Sequence, residues 1–190
     1  PCPGGGQPST GQGSVPVRQL RLTTGPAEPV VLYSFRITGS GTSNEQTDVA
    51  SARLFIDSNG DGSPVGEATQ LGRVLVYGGD NGSLTCSGFQ RTIPANTTEF
   101  WVLSYDVAAG ASAGVNFQTT LTPGSDFTAT GQTSALQITP TGAAFSGGRL
   151  DVTGSLSVGP GPVMPPPASV LANDANVPVL QFRLRAGGGG

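Results

Sequence analysis

"EPVVLYSFRITGSG", residues 28–41, alternates apolar and polar side chains and then breaks at Gly and Ser. Val31, Tyr33, Phe35 and Ile37 recur at every second position, which predicts a half-buried strand with those four on one face. The same pattern extends in both directions. "VPVRQLRLT" (15–23) sets Leu20 and Leu22 against Gln19 and Arg21. "VASARLFID" (49–57) has some helical propensity, but its length and its Gly, Asn and Asp flanks favour a strand. "GRVLVYGGDNG" (72–82) ends in Asp-Asn-Gly, residues suited to the φ > 0 positions of a tight turn. "SLTCSGFQRTIPANT" (83–97) and "EFWVLSYDV" (99–107) follow as a pair. In the latter, Phe100, Val102, Ser104 and Asp106 oppose Trp101, Leu103, Tyr105 and Val107, so Trp101 and Tyr105 are expected in the core rather than on a sugar-stacking platform. "VNFQTTL" (115–121), "SALQIT" (134–139) and "GRLDVTGSLSV" (148–158) complete the set.

About nine short strands, with no convincing helical period over ten residues, predict an all-β chain: an antiparallel sandwich or barrel. Gly and Pro are abundant, at 30 and 16 of 190 residues, yet they gather at the two ends and in one linker. The expected organisation is a Gly/Pro-rich linker over 1–13, a folded body over 14–158, a Pro-rich spacer over 159–175 and a lone strand segment over 176–190.

Charge narrows the partners. The nine basic residues are all Arg, and the net charge of −3 comes with no basic patch, which argues against nucleic acid. No apolar run approaches the ~20 residues of a spanning helix, so no membrane span is expected. No signal peptide is recognisable, which fits a processed chain or one that is not exported; the Thr/Ser/Gly/Asn-rich composition favours export. Without His, the usual Ser-His-Asp and Cys-His arrangements and His-based zinc sites are excluded. The acids Glu28, Glu45, Asp48, Glu67, Glu99, Asp106, Asp126 and Asp151 form no legible pair, so the chain is not expected to be an enzyme and needs no cofactor.

Three minor motifs remain. "DSNGDG" places Asp57, Asn59 and Asp61 at positions 1, 3 and 5 of an oxygen-rich loop, with Gly62 at 6 and the Ser63 carbonyl at 7. Positions 9 and 12 are Val65 and Ala68, and Glu67 is one residue out of register. The loop reads either as a hairpin turn without metal or as a weak calcium site. Cys2 and Cys86 allow one disulfide, within a subunit or between two, or two free thiols. Asn81 and Asn96 match Asn-x-Ser/Thr and fall on expected turns, where glycosylation is chemically open.

The two ends carry the most informative feature. "VPVRQLRLTTG" (15–25) returns as "VPVLQFRLRAG" (177–187), with seven of eleven positions identical at an offset of 162 residues. "VPVLQFRLRA" resembles the "VLQFRLTA"-type opening of tandem immunoglobulin-like β-sandwich repeats of large bacterial secreted and cell-surface proteins. "ITGSGTSNEQTDVASARLFIDSNGDG" and "DNGSLTCSGFQRTIPANTTEFWVLSYDV" fit the same kind of repeat in order, so the resemblance covers roughly residues 15–110 and 176–187. It implies an immunoglobulin-like fold and a structural, extracellular module, stacked end to end or displayed on a cell surface.

The closing strand would put Val177, Val179, Leu180, Phe182 and Leu184 to use in assembly. Alone in water it is an aggregation hazard. It can begin a further sandwich, fold back on its own body, or enter a neighbouring subunit by strand addition. The Pro-rich spacer disfavours the fold-back. The leading expectation is therefore a subunit of an extracellular, pilus-like homopolymer, joined head to tail through this strand. The alternative is a stalk, adhesin or carbohydrate-binding repeat of a large surface protein.

Overall fold

The computed structural model describes residues 7–160 and 181–187. The chain runs through β1 (Val15–Thr23), β2 (Val30–Gly41), the single-turn helix α1 (Glu45–Asp48) and β3 (Val49–Ile56). It continues through β4 (Gln70–Leu75), β5 (Ser83–Ile93), β6 (Thr98–Val107), β7 (Asn116–Leu121), the turn-like α2 (Pro123–Asp126) and β8 (Phe127–Gly131). Short pairings follow at β9 (Gln137–Ile138), β10 (Phe145–Ser146) and β11 (Leu150–Asp151), then β12 (Ser155–Pro160) and β13 (Phe182–Gly187). The chain is thus all-β, with antiparallel pairing between all of its strands.

Two sheets enclose the core, in a sandwich-like body rather than a barrel. One has the order β1-β6-β3-β4. The other is built on the long β2, which pairs β5 along one edge. Along its other edge β2 pairs first β8 and then β7, with α2 making the jog between them. Trp101, Leu103, Tyr105 and Val107 are all buried, as the alternation in β6 predicts. Asn81 takes the expected positive φ, 50°, in its turn.

The strand that opened the reading departs from simple alternation. β2 carries a register shift between Leu32 and Ser34. The extra residue turns Tyr33 outward, where its hydroxyl lies 3.3 Å from that of Thr130, while Val31 and Leu32 are both buried. A bulge opposes two residues to one and reverses the facing of everything before it. The expected face of Val31, Tyr33, Phe35 and Ile37 therefore loses Val31 and Tyr33 and gains Leu32, and Val31 is buried outside the core cluster. A similar shift in β1, between Pro16 and Arg18, buries Arg18.

The N-terminal segment is more than a linker over its second half. Gln12 O accepts from Val107 N at 2.8 Å, and Pro8 O accepts from Thr153 N at 2.8 Å, so residues 8–12 lace the end of β6 to the segment after β11. At the other boundary, the body expected to run to residue 158 has its last sheet pairing at Asp151, and β12 pairs instead with β13. Residues 161–175 of the expected spacer, with Val177, Val179 and Leu180, lie outside the described residues, as does Cys2.

Candidate functional site

Three features stand apart from ordinary core packing: the acidic loop after β3, the open side of the sandwich beside β1, and the C-terminal ribbon.

In the loop, Asp57 is 2% exposed. Its Oδ1 accepts from Gly60 N at 2.8 Å, and its Oδ2 accepts from Gly62 N at 2.9 Å and Gln19 Nε2 at 2.6 Å. Asn59 Oδ1 accepts from Asp61 N, Asp61 Oδ1 from Ser63 N, and Ser63 Oγ from Val65 N. The structure thus brings Asp57, Asn59, Asp61 and Ser63 into one self-capping turn. It also recruits Glu67, which spacing alone leaves out of register. Glu67 Oε2 accepts from Ser58 N at 3.1 Å and Ser58 Oγ at 2.7 Å, and carboxylate oxygens of Asp57, Asp61 and Glu67 lie within 4.8 Å of one another. Gly66, at φ 90°, makes the return that sets Glu67 there. Three carboxylates suit a hard cation, and each of them also accepts a hydrogen bond from a backbone N–H of the loop. Replacing Asp57 by Ala leaves the buried Gly62 N–H and the part-buried Gly60 N–H without their acceptor, and Gln19 Nε2 keeps only its bond to Gly60 O. The expected loss is about 2–3 kcal/mol in urea denaturation, whereas an unchanged midpoint would mean that water replaces the carboxylate.

Cys86 is a buried free thiol whose Sγ lies 3.2 Å from Leu71 O, and burial pushes its pKa up to about 11. Asn81 and Asn96 are exposed on turns at φ 50° and 56°. The scattered acids mostly serve packing: Asp126 pairs with Arg36, Asp106 with Arg53, Glu99 with Arg91 and Asp151 with Arg149. Glu45, fully buried, accepts from Asn81 N at 2.7 Å and so anchors the turn before β5.

The open side lies between β1, the last strand of its sheet, and the facing sheet. There β9 and β10 are two residues each and 139–144 form no strand. The result is a cavity of about 780 Å³, lined by Leu20, Leu22, Val30, Leu32, Phe127 and Ile138 among others. At its rim Glu28 accepts from Thr133 N, Ser134 N and Ser134 Oγ; the Ser134 hydroxyl, then the two N–H groups, hold its carboxyl below the ordinary value. Arg18, which strand alternation does not single out, is buried against the lining residue Phe145. Its Nη2 donates to Thr119 O at 2.8 Å, its Nε donates to Thr119 Oγ1 at 3.1 Å, and its guanidinium lies 4.8 Å from the Phe145 ring centroid.

The ribbon corrects the expectation that the closing strand must find its backbone partner in a second protein. β13 pairs antiparallel with β12 of its own chain, Val158 opposite Leu184 and Pro160 opposite Phe182. "SLSVGP" is itself an alternating strand, and the connection of twenty-one residues, 161–181, is long enough for an antiparallel return. Pairing satisfies one edge of each strand but leaves the apolar face uncovered. Leu156, Val158, Phe182 and Leu184 share that face by register and remain 58–68% exposed. Arg183 and Arg185 fall on the opposite face.

Comparison with models of protein families, with curated proteins and with solved structures finds no match. The fold and its surfaces therefore define the class: an all-β protein with a two-sheet, sandwich-like body.

Proposed function

We propose that the chain is a structural module with an immunoglobulin-like sandwich, working outside the cell as a subunit of a filament, and that its C-terminal segment joins one body to the next. One observation carries this reading: the exposed apolar face of Leu156, Val158, Phe182 and Leu184. A two-stranded ribbon is marginally stable in water, and a contiguous apolar face of this kind marks an interaction surface. Its strand also repeats β1, a strand that the body uses at a sheet edge.

The duplication at an offset of 162 residues favours a second arrangement of the same parts, in which the closing phrase opens a further sandwich of a long stalk or adhesin. The two readings differ in what the separate chain does. As a filament subunit, the full chain associates with rising concentration and gives regular threads in negative-stain microscopy. Phe182→Asp with Leu184→Asp, both at exposed positions, abolishes the threads and leaves the melting temperature unchanged. A full chain that stays monomeric at the highest attainable concentration would rule out the filament.

A further inference from the structure

Resting on that reading, we infer that the receiving site is the apolar cavity along the outer edge of β1 in a second copy of the chain, and that ribbon and cavity form a heterologous, head-to-tail contact.

Position comes first. The cavity is lined by the end of β1, the start of β2 and the end of β7, at Leu22, Val30 and Leu121. The ribbon is rooted at the other end of these strands. β11 pairs with the start of β7, at Asn116 and Phe117, and Thr153 bridges to Ser9 ahead of β1. The six residues of β7 separate the two ends by roughly 17 Å along the strand direction. Each copy therefore carries its ribbon root at one pole and its cavity at the opposite pole. Joining unlike surfaces at opposite poles propagates without closing on itself.

Shape and chemistry agree with this assignment. Among the described residues β1 ends its sheet, and over 19–23 it lines the cavity, where a further strand can be added. Leu22, Val30 and Ile138 are half-buried where the sandwich opens, and an apolar face laid over them would complete their burial. Phe182 and Leu184, two positions apart on one face, repeat the spacing of Leu20 and Leu22 on the cavity wall.

Charge favours a body as the partner of the ribbon over a second ribbon. The stretch 182–187 carries Arg183 and Arg185 and no acid, whereas residues 1–154 hold eleven acids and seven Arg, a net charge of −4. Glu28 and Arg21 both line the cavity, so the attraction is that of the whole body rather than of the rim.

The test uses full chains with complementary defects. The ribbon variant is Phe182→Asp with Leu184→Asp. The groove variant is Leu22→Arg, and Thr23→Arg is a second groove variant at an exposed lining position, where the fold has little to lose. Sedimentation velocity on each alone should show self-association weakened at least about tenfold, the loss expected when a central interface contact is removed. An equimolar mixture of ribbon and groove variants should form a one-to-one pair and nothing larger, because it contains one intact ribbon and one intact cavity. A groove variant that polymerises like the native chain overturns this inference and leaves the wider filament reading standing. A mixture that stays monomeric also overturns it. A ribbon variant that polymerises normally overturns the role of the C-terminal segment in joining one body to the next.

Discussion

Trp101→Ala should remove about 3–5 kcal/mol of folding stability. Trp101 is fully buried in the central strand β6, opposite Leu20 of β1 on one side and Ile56 of β3 on the other. Its ring meets Phe89 edge-on, with centroids 5.9 Å apart, and so ties its own sheet to the strand β5 of the other. Its Nε1 donates to Glu99 Oε1 at 2.5 Å, and Arg91 holds the same carboxylate through Nε and Nη2. Truncation to Ala opens a cavity at the contact between the sheets, where rigid strands on both sides limit collapse. With roughly 2–4 °C lost per kcal/mol in a chain of this size, the melting temperature should fall by on the order of 10 °C. Trp101→Phe keeps most of the volume and should cost markedly less. Urea denaturation followed by circular dichroism measures both, since the variants lack the chain's single Trp as a fluorophore. Equal losses for Ala and Phe would mean that the indole N–H bond to Glu99, rather than volume, holds the site.

Stability should also fall steeply at alkaline pH. The hydroxyls of Tyr77 and Tyr105 bond to each other in the core, and their rings meet edge-on. Burial is the largest cause that pushes Tyr77 up to about 12; Tyr105, fully buried, is raised well above the ordinary phenol for the same reason, with the neighbouring Tyr77 adding to it. An unfolded chain loses these protons near pH 10, while the native state keeps them. Between pH 10 and 12 the unfolded state thus binds fewer protons, and unfolding free energy declines with pH. Below pH 10 the contribution is fully present; by pH 12 Tyr77 alone accounts for a loss of roughly 2 kcal/mol. Cys86 adds a smaller decline between its ordinary value and about 11. Denaturation midpoints from pH 8 to 12 should fall along this course, and Tyr77→Phe should flatten it. A midpoint that holds constant to pH 12 would show that both phenols ionise as freely as in the unfolded chain.

Much of the body was legible before any coordinates. Alternation located β1, β2, β5, β6 and β7, and it set Trp101 and Tyr105 in the core. Gly and Asn marked the turn at 80–82. Such signals survive because a strand with one buried face must write that face into every second residue. The strand β8 has no legible alternation: after Phe127, "TATG" is small and largely polar, and its place in the sheet comes from pairing with β2 rather than from its own pattern. Glu67 was set aside for a one-residue offset that the turn at Gly66 absorbs.

Read alone, the chain dictates that it builds many short antiparallel strands, that the aromatic face of β6 is buried, and that the opening phrase recurs at the end. These are consequences of local periodicity and identity, which need no knowledge of neighbours. The outward turn of Tyr33, the burial of Arg18, the meeting of Asp57, Asp61 and Glu67, and the pairing of β13 with β12 belong to the tertiary structure. Each depends on which strand lies alongside and in what register, and on which polar groups the partner offers. Those are long-range facts, and no short window of residues encodes them.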